Sequence, residues 1–273
     1  MTAGDPAHRR TPLIVAHRGL HQRYPENSLP AFEAAWDAGI HWCECDVRMT
    51  GCGMAVVFHD EVLDRITTLS GRVDQYSWQH MAGTWLRLED GTITEYTICV
   101  LESVCARVGT ATASGGRRRL LVEIKAPCSR QMIADVVGHC CCGIEDEIDS
   151  APVSNIEQEL PVIAIQSFDP GVLLHTRRLH RRVPTYLLME STERLDSHLE
   201  APWNGINFQY DLLTPQLVEH VQGRRKRIGV WTPNTEADLR RAIHLGVDTV
   251  ITDEPLLAVE LLKERSATNP AAE

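Results

Sequence analysis

The sequence lacks long apolar segments and is poor in aromatic residues. Its apolar runs fall far short of the roughly 18 residues that a membrane-spanning helix needs. Four Phe and five Tyr are too few to build a broad apolar rim for a lipid surface. The first eleven residues, MTAGDPAHRRT, are polar and contain no signal-peptide core. We expect a cytoplasmic protein without stable membrane insertion, in which residues 1–11 form a flexible lead-in.

An excess of positive charge is also missing. The formal net charge is −10, whereas proteins that bind nucleic acid usually present a basic surface. Two basic clusters, at 117–119 and 224–227, each directly precede an apolar strand-like run. This position favours solvated strand entrances over a binding patch, so we expect no nucleic-acid partner.

The cysteines do not form a disulfide framework. There are nine, an odd number, in a chain with no export signal. Three of them, at 140–142, are consecutive, which is too tight a spacing for all three to ligate one zinc ion. We interpret them as buried or half-buried thiols at the end of a helix.

What the sequence does contain is a regular series of short, β-branched apolar runs separated by amphipathic helical patterns. The runs are LIVAH (13–17), HWCECDVR (41–48), MAVVFH (54–59), LLVEIK (120–125), VIAIQSF (162–168), TYLLM (185–189), INFQY (206–210), IGVWT (228–232) and DTVIT (248–252). Alternating strands and helices in this number predict a parallel sheet. A closed, eight-stranded TIM (β/α)8 barrel is the leading candidate.

Nine runs are one too many for that barrel. Only MTGCG (49–53) separates the second run from the third, and this is too short for a parallel crossover. The pair is therefore predicted to form an antiparallel β-hairpin that turns near Gly51 and Gly53. Eight parallel strands remain in a single domain over residues 12–264. Residues 60–97 are predicted to be a small insertion over the barrel mouth, and residues 265–273 a flexible tail.

Charged side chains interrupt the apolar runs on one face. Because strand side chains alternate, Glu44 and Asp46 share a face, while Cys43 and Cys45 share the other. Glu123 ends a second strand in the same way. Three carboxylates this close would repel one another unless a cation offset their charge. Ligation by oxygen alone suits Mg²⁺ or Ca²⁺ and not zinc.

Other polar residues gather at the same strand ends. His17 closes the first strand and His59 ends the hairpin, and two histidines titrating near neutral pH can share acid and base duties. Arg18 and Lys125 add the positive charge that a phosphate requires. Polar residues at the C-terminal ends of several strands are typical of a barrel active site.

The sequence resembles the glycerophosphodiester phosphodiesterase family over roughly residues 12–260. The motifs that carry the resemblance are AHRG (16–19), PENS (25–28), ECD (44–46), FHDEVLDRIT (58–67), VEIK (122–125), SFDP (167–170), VWTPN (230–234) and ITDEP (251–255). Their order and separations are more specific than any one motif. The resemblance implies a TIM barrel that hydrolyses glycerophosphodiesters to glycerol 3-phosphate and an alcohol.

The resemblance also implies a role for each matched residue. These are Glu44, Asp46 and Glu123 as metal ligands, His17 and His59 as the acid/base pair, Arg18 and Lys125 as phosphate contacts, and Trp231 as an aromatic lining the pocket. Within PENS, Asn27 is expected to orient a ligand and Glu26 to reach toward the metal. The insertion at 60–97 is expected to help shape the pocket for the alcohol.

Several alternatives stay open at this level. ICVLES (98–103) replaces the family's usual proline-threonine helix start, and an unusual acidic run covers residues 140–160. The second reading is a phospholipase-type phosphodiesterase or lyase that acts on lysophospholipids, and the third is a non-catalytic binding barrel. The sequence does not choose the alcohol, the identity of the base, attack by water over attack by the glycerol 2-hydroxyl, or monomer over homodimer.

Overall fold

The computed structural model describes residues 11–112, 115–141 and 162–268. Four of the predicted features lie wholly or mostly outside these residues. They are the lead-in, Cys142, the acidic run and the end of the tail. The strands are β1 (Leu13–Ala16), β2 (Trp42–Met49), β3 (Ala55–Val57), β4 (Trp85–Arg87), β5 (Ile93–Thr97), β6 (Arg119–Ile124), β7 (Ile163–Ser167), β8 (Thr185–Met189), β9 (Gly205–Gln209), β10 (Arg227–Trp231) and β11 (Thr249–Thr252).

Eight of these strands close into a parallel barrel. Going round it, β1 pairs with β11, followed by β10, β9, β8, β7, β6 and β2, and β2 pairs again with β1. The predicted TIM barrel is therefore confirmed. The ninth strand, β3, runs antiparallel to β2, with Val47 opposite Val57 and Met49 opposite Ala55. This is the predicted hairpin.

Helices cover the outer side of the barrel, apart from the second along the chain, which lies in the insertion. They are α1 (Leu29–Asp37), α2 (Trp78–Met81), α3 (Leu101–Cys105), α4 (Arg130–Cys141), α5 (Pro170–Leu179), α6 (Leu195–Glu200), α7 (Pro215–Gly223), α8 (Glu236–Leu245) and α9 (Pro255–Thr268). The first begins directly after Ser28, whose side chain accepts a hydrogen bond from the Ala31 amide and caps the helix. None of the described helices is both long enough and apolar enough to cross a bilayer.

Two helical features differ from the sequence prediction. The last helix continues to Thr268, beyond the domain boundary at residue 264. Helix α6 lies in a segment for which no helix is predicted from the sequence. It follows Arg194, which has a left-handed backbone with φ of 55° and provides no side-chain cap. Because residue 194 provides no cap and the segment has no apolar periodicity, a helix at this position is not predictable from the sequence.

The insertion has its own small core. Strands β4 and β5 pair antiparallel, and the short helix α2 precedes them. Eight buried apolar residues pack together beneath these elements: Val56, Phe58, Leu63, Ile66, Val73, Met81, Leu86 and Ile98. The insertion is thus a packed unit joined to β3, with an apolar core that was not part of the sequence prediction.

The two faces of each barrel strand have different surroundings. On β2, Cys43 and Cys45 face outward and are fully buried in the layer between strands and helices. Trp42 lies on the opposite face, in a small apolar cluster inside the barrel. Cys140 and Cys141 are also buried, at the end of α4, as predicted for that position. Burial raises the pKa of the Cys43 and Cys45 thiols, so both remain protonated, apolar packing groups.

We expect Cys43→Ser and Cys45→Ser to lower the free energy of unfolding by about 1–3 kcal/mol each, because a hydroxyl replaces a thiol in an apolar layer. Enzymatic activity and cation preference should stay the same. Chemical unfolding and steady-state rates measure the two effects. The matched control is Cys52→Ser, since Cys52 is exposed, and its effect should stay within about 0.5 kcal/mol. Loss of the cation in the Cys43/Cys45 double variant would contradict this assignment.

Candidate active site

Three carboxylates converge at the C-terminal end of the barrel. Glu44 and Asp46 come from β2 and Glu123 comes from β6, and one oxygen of each lies within 4.8 Å of the others. All three side chains are buried. The strand pairing explains the meeting, because Asp46 is the direct neighbour of Glu123 in the parallel register.

Two cations lie against these carboxylates. Lys125 Nζ is 2.8 Å from Asp46 Oδ1 and 2.6 Å from Glu123 Oε1. Arg18 Nε is 3.1 Å from Asp46 Oδ2. Burial alone would raise the pKa of Asp46, but Lys125 and Arg18 outweigh burial and hold that pKa well below its usual range. Asp46 is therefore ionised at neutral pH.

Lys125 and Arg18 also act on the other two carboxylates, but they do not outweigh burial there. Burial, together with the charge of Asp46, raises the pKa of Glu123 to about 7 and the pKa of Glu44 well above its ordinary value. Asp46 Oδ1 and Glu123 Oε1 are buried and share the single ammonium group of Lys125. Three buried carboxylates face only two cations, Lys125 and Arg18, and a divalent cation relieves such an excess of buried negative charge. The three residues therefore fit a hard cation.

Neighbouring amides orient the carboxylate oxygens. Asn27 Nδ2 donates to Asp46 Oδ2 at 2.8 Å, and the Asp46 backbone amide donates to Asn27 Oδ1 at 3.1 Å. On the other side, Gln166 Nε2 donates to Glu44 Oε1 at 3.3 Å and Asn207 Nδ2 donates to Gln166 Oε1 at 2.9 Å. Asp46 is thus held by Asn27, in the loop before α1. Glu44 is held by Gln166 of β7, which is held in turn by Asn207 of β9.

The loop that carries Arg18 and Asn27 has an unusual backbone. Both residues adopt left-handed conformations, with φ of 57° and 56°. Gly19, between them in sequence, also has a positive φ of 83°, and a Cβ there would lie 2.6 Å from the Ala31 backbone. Only glycine fits so close to α1. This turn aims the Arg18 amide at Glu44 Oε2, at 3.2 Å.

Each of the two predicted histidines is paired with an aspartate. His17 Nδ1 lies 2.6 Å from Asp253 Oδ1, and His59 Nδ1 lies 2.6 Å from Asp60 Oδ1. An aspartate at Nδ1 fixes the proton on that nitrogen, so Nε2 of the neutral ring carries the lone pair. His21 joins the first pair, with Nε2 2.8 Å from the same Asp253 oxygen.

Arg65 connects the insertion to this site. Its Nε donates to Asp60 Oδ2 at 2.6 Å, while its two terminal nitrogens donate to the Glu26 carboxylate at 2.8 and 2.7 Å. Arg18 Nη1 also donates to Glu26, at 3.0 Å. Glu26 thus bridges two arginines.

Burial is the largest influence on His59, and it lowers the pKa of that imidazole.

Trp231 is the last residue of β10. Its indole Nε1 donates to the Asn207 carbonyl at 3.1 Å. Phe168, at the end of β7, packs edge-on against it with ring centroids 5.7 Å apart. The two rings form an aromatic wall beside the polar site.

The structure adds supporting residues that sequence reasoning did not assign. They are Asp60, Asp253, Arg65, Gln166 and Asn207, and His21 is a second partner of Asp253. Asp60, Arg65 and Asp253 lie within motifs that carried the resemblance, so their position in FHDEVLDRIT and ITDEP was an available signal. Gln166 interrupts an apolar run on its inward face, which was another.

Comparison with known proteins places the site in a class. The model of the glycerophosphoryl diester phosphodiesterase family matches residues 17–257, a span that includes every site residue predicted from the sequence. The protein is thus a phosphoric diester hydrolase. More specifically, the chain belongs to the glycerophosphoryl diester phosphodiesterase family.

Individual relatives agree with that assignment. A glycerophosphodiester phosphodiesterase from Bacillus altitudinis is 29% identical over 259 residues, covering 92% of this chain and 98% of its own. A solved phosphodiesterase from Oleispira antarctica, in complex with the product sn-glycerol-3-phosphate, has a TM-score of 0.74 and 22% identity and covers 94% of this chain and 99% of its own. A glycerophosphodiester phosphodiesterase from Parabacteroides distasonis has a TM-score of 0.72 at 20% identity, with 94% and 99% covered. At these identities the solved structures show a shared fold.

We expect Glu44→Gln to abolish cation-dependent turnover and to leave the metal-free protein folded. Burial beside two other carboxylates raises the pKa of Glu44, so its ionised form destabilises the native state, and a neutral amide removes that repulsion. A raised carboxyl pKa weakens the fold as pH rises through and above the unfolded value. The variant's stability relative to the parent should therefore increase between about pH 5 and about pH 8.

Urea unfolding of both metal-free proteins at the two pH values measures this effect. Glu102→Gln is the matched control, because Glu102 is exposed on α3. A variant that loses stability toward the higher pH would contradict the assignment of Glu44 as an incompletely compensated buried carboxyl.

Proposed function

We propose that this enzyme hydrolyses small, soluble glycerophosphodiesters to glycerol 3-phosphate and an alcohol, with a carboxylate-bound Mg²⁺ or Ca²⁺. The observation that carries the proposal is the buried carboxylate cluster flanked by two His–Asp pairs. The activity in the names of the family and of the Bacillus altitudinis relative supports the same substrate class.

Glu44, Asp46 and Glu123 would hold the cation. When bound, a divalent cation supplies charge that polarises a phosphoryl oxygen and lowers the pKa of an adjacent hydroxyl. The oxygen-only donor set supports Mg²⁺ or Ca²⁺. Arg18 and Lys125, both already turned toward the carboxylates, would bind the phosphate oxygens and hold the ester for in-line attack.

We assign His59 as the general base and His17 as the general acid. Burial lowers the pKa of His59, so its Nε2 is unprotonated at neutral pH and takes the proton of the attacking hydroxyl, from water or from the glycerol 2-position. His17 then donates its Nε2 proton to the leaving alkoxide. Asp60 and Asp253 hold the two rings through Nδ1 and stabilise each ring when it is protonated.

The aromatic wall and the insertion supply the walls of the substrate pocket. Trp231 and Phe168 offer an apolar surface for the carbon skeleton of the glycerol. Arg65 ties the insertion to Glu26 and Asp60, so the insertion is held beside the base and is suited to select the alcohol.

A second candidate function is cleavage of lysophospholipids by hydrolysis or as a lyase. One observation favours it: Val62, Trp85 and Ile93 in the insertion are among the exposed large apolar residues, as is Phe168 at the mouth. Such residues would contact an acyl chain or a lipid aggregate. The polar remainder of the insertion places this candidate second.

We expect a bell-shaped dependence of kcat/KM on pH. The lowered pKa of His59 puts the acidic limb below the ordinary histidine value of about 6.5. His59→Ala should remove that limb and reduce the rate by about 10²–10⁴-fold, and His17→Ala should remove the alkaline limb. The control is His41→Ala, at the N-terminal end of β2. A limb that survives in both histidine variants would refute the pairing.

The substrate class is tested by measuring glycerol 3-phosphate released from glycerophosphocholine and glycerophosphoethanolamine, and turnover of lysophosphatidylcholine, with Mg²⁺, Ca²⁺ or chelator. We expect turnover of the acyl-free diesters, dependent on the cation and absent in Asp46→Asn. A strong preference for the acyl-bearing substrate would favour the second candidate. Binding of a diester by the metal-loaded protein without turnover would indicate a non-catalytic barrel.

A further inference from the structure

A second group of potential metal ligands lies beside the carboxylate cluster. His17 Nδ1, His21 Nε2 and Asp253 Oδ1 all lie within 4.8 Å of one another. The two nitrogens are 2.6 and 2.8 Å from the carboxylate oxygen. Asp253 alone fixes the His17 ring. His21 therefore has no part in the proposed reaction.

The charge of Asp253 makes this group receptive to a cation. Among the described residues, its only ion-pair partners are His17 and His21, and its second oxygen accepts from the neutral amide of Asn234 at 2.5 Å. No lysine or arginine of the described chain lies within ion-pair distance of it. When both imidazoles are neutral, the carboxylate keeps a net negative charge at a partly open site.

We propose that His17, His21 and Asp253 form a second metal site, which takes a borderline transition metal of the Zn²⁺ type and inhibits the enzyme when occupied. Two imidazole nitrogens and one carboxylate oxygen are a donor set typical of Zn²⁺ bound by three protein ligands with an open fourth position. The same set suits Mg²⁺ and Ca²⁺ poorly, because those ions take oxygen ligands. The two sites of this chain thus differ in the kind of ion that they select.

The ligands are held in place before any ion arrives. Asn234 fixes Asp253 through both its amide nitrogen and its amide oxygen, which accepts from the Asp253 backbone at 3.0 Å. A carboxylate fixed from behind is the support that metal ligands usually have. The three side chains expose 19%, 17% and 25% of their surface, so an ion reaches them from the barrel mouth.

Binding would take His17 out of the reaction. A metal on Nδ1 replaces the proton there, and the neutral ring then carries its remaining proton on Nε2. Such a ring has no free nitrogen to protonate, so it does not become the imidazolium that serves as general acid. This inhibitory consequence rests on the role proposed above for His17. Binding of the metal does not.

Co²⁺ tests the binding directly, because its visible absorption is shifted and is stronger in a four-coordinate site with nitrogen ligands than in an octahedral site with oxygen ligands only. The protein is saturated with Ca²⁺ to fill the carboxylate site, and Co²⁺ is then titrated. We expect one equivalent of Co²⁺ with nitrogen ligation in the parent and in Glu44→Gln. His21→Gln should weaken binding at least about 10-fold, as expected when a metal site loses part of its ligand support. The glutamine keeps an N–H donor for Asp253, so the variant isolates the ligand from the hydrogen bond.

His220→Ala is the matched control, since His220 makes a comparable pair with Asp196 on the outer helices, at 2.9 Å. No nitrogen-ligated Co²⁺ in the parent, an unchanged band in His21→Gln, or loss of the band in Glu44→Gln would each overturn the proposal. The last result would assign the ion to the carboxylate cluster.

The rate measurement is separate. With saturating Mg²⁺ or Ca²⁺, buffered Zn²⁺ should inhibit hydrolysis of glycerophosphocholine, and chelation followed by Mg²⁺ or Ca²⁺ should restore it. The Zn²⁺ concentration for half-inhibition should rise at least about 10-fold in His21→Gln, relative to that variant's own activity without zinc. Tight Co²⁺ binding without inhibition would retain the site and refute the assignment of His17 as the acid.

Discussion

Mutual repulsion among three carboxylates inside the barrel is the constraint on which the rest of the site depends. Their oxygens lie within 4.8 Å of one another, away from water. Lys125 and Arg18 bring positive charge, while Asn27 and Gln166 bring amide donors that hold individual oxygens in place. Two of the three carboxyls still have a raised pKa. The site therefore keeps an excess of negative charge at the place where the substrate's phosphate is expected to bind.

This excess of negative charge explains why the carboxylate cluster could be predicted from the sequence. Burying a charged residue on the inward face of an apolar strand costs free energy unless a partner compensates its charge. A shift of β2 by one residue would have turned Cys43 and Cys45 toward the site instead. The parallel register then leaves little freedom, because Asp46 must meet Glu123 once β2 and β6 are neighbours. Strand alternation and strand order predicted that the carboxylates lie close together, and the family resemblance implied their role as ligands.

The supporting residues could not be derived in the same way. Gln166 and Asn207 act on Glu44 through a chain of hydrogen bonds that crosses strands distant in sequence, and no local pattern gives a residue's partner across a barrel. The core of the insertion escaped prediction for a related reason. Its apolar residues, such as Leu63, Val73 and Met81, are spread singly among turns, so they form neither a period of two nor one of 3.6.

Strand β3 packs into two separate interiors. Ala55 and Val57 belong to the barrel core, whereas Val56 and Phe58 belong to the core of the insertion. The strand and the Phe58 that follows it thus lie between the two cores, and His59 comes directly after Phe58. Related chains could exchange the insertion for a larger or smaller one, and with it the shape of the substrate pocket, provided that one face of this strand is matched. The position of the proposed base would be inherited unchanged, because the opposite face anchors it to the barrel.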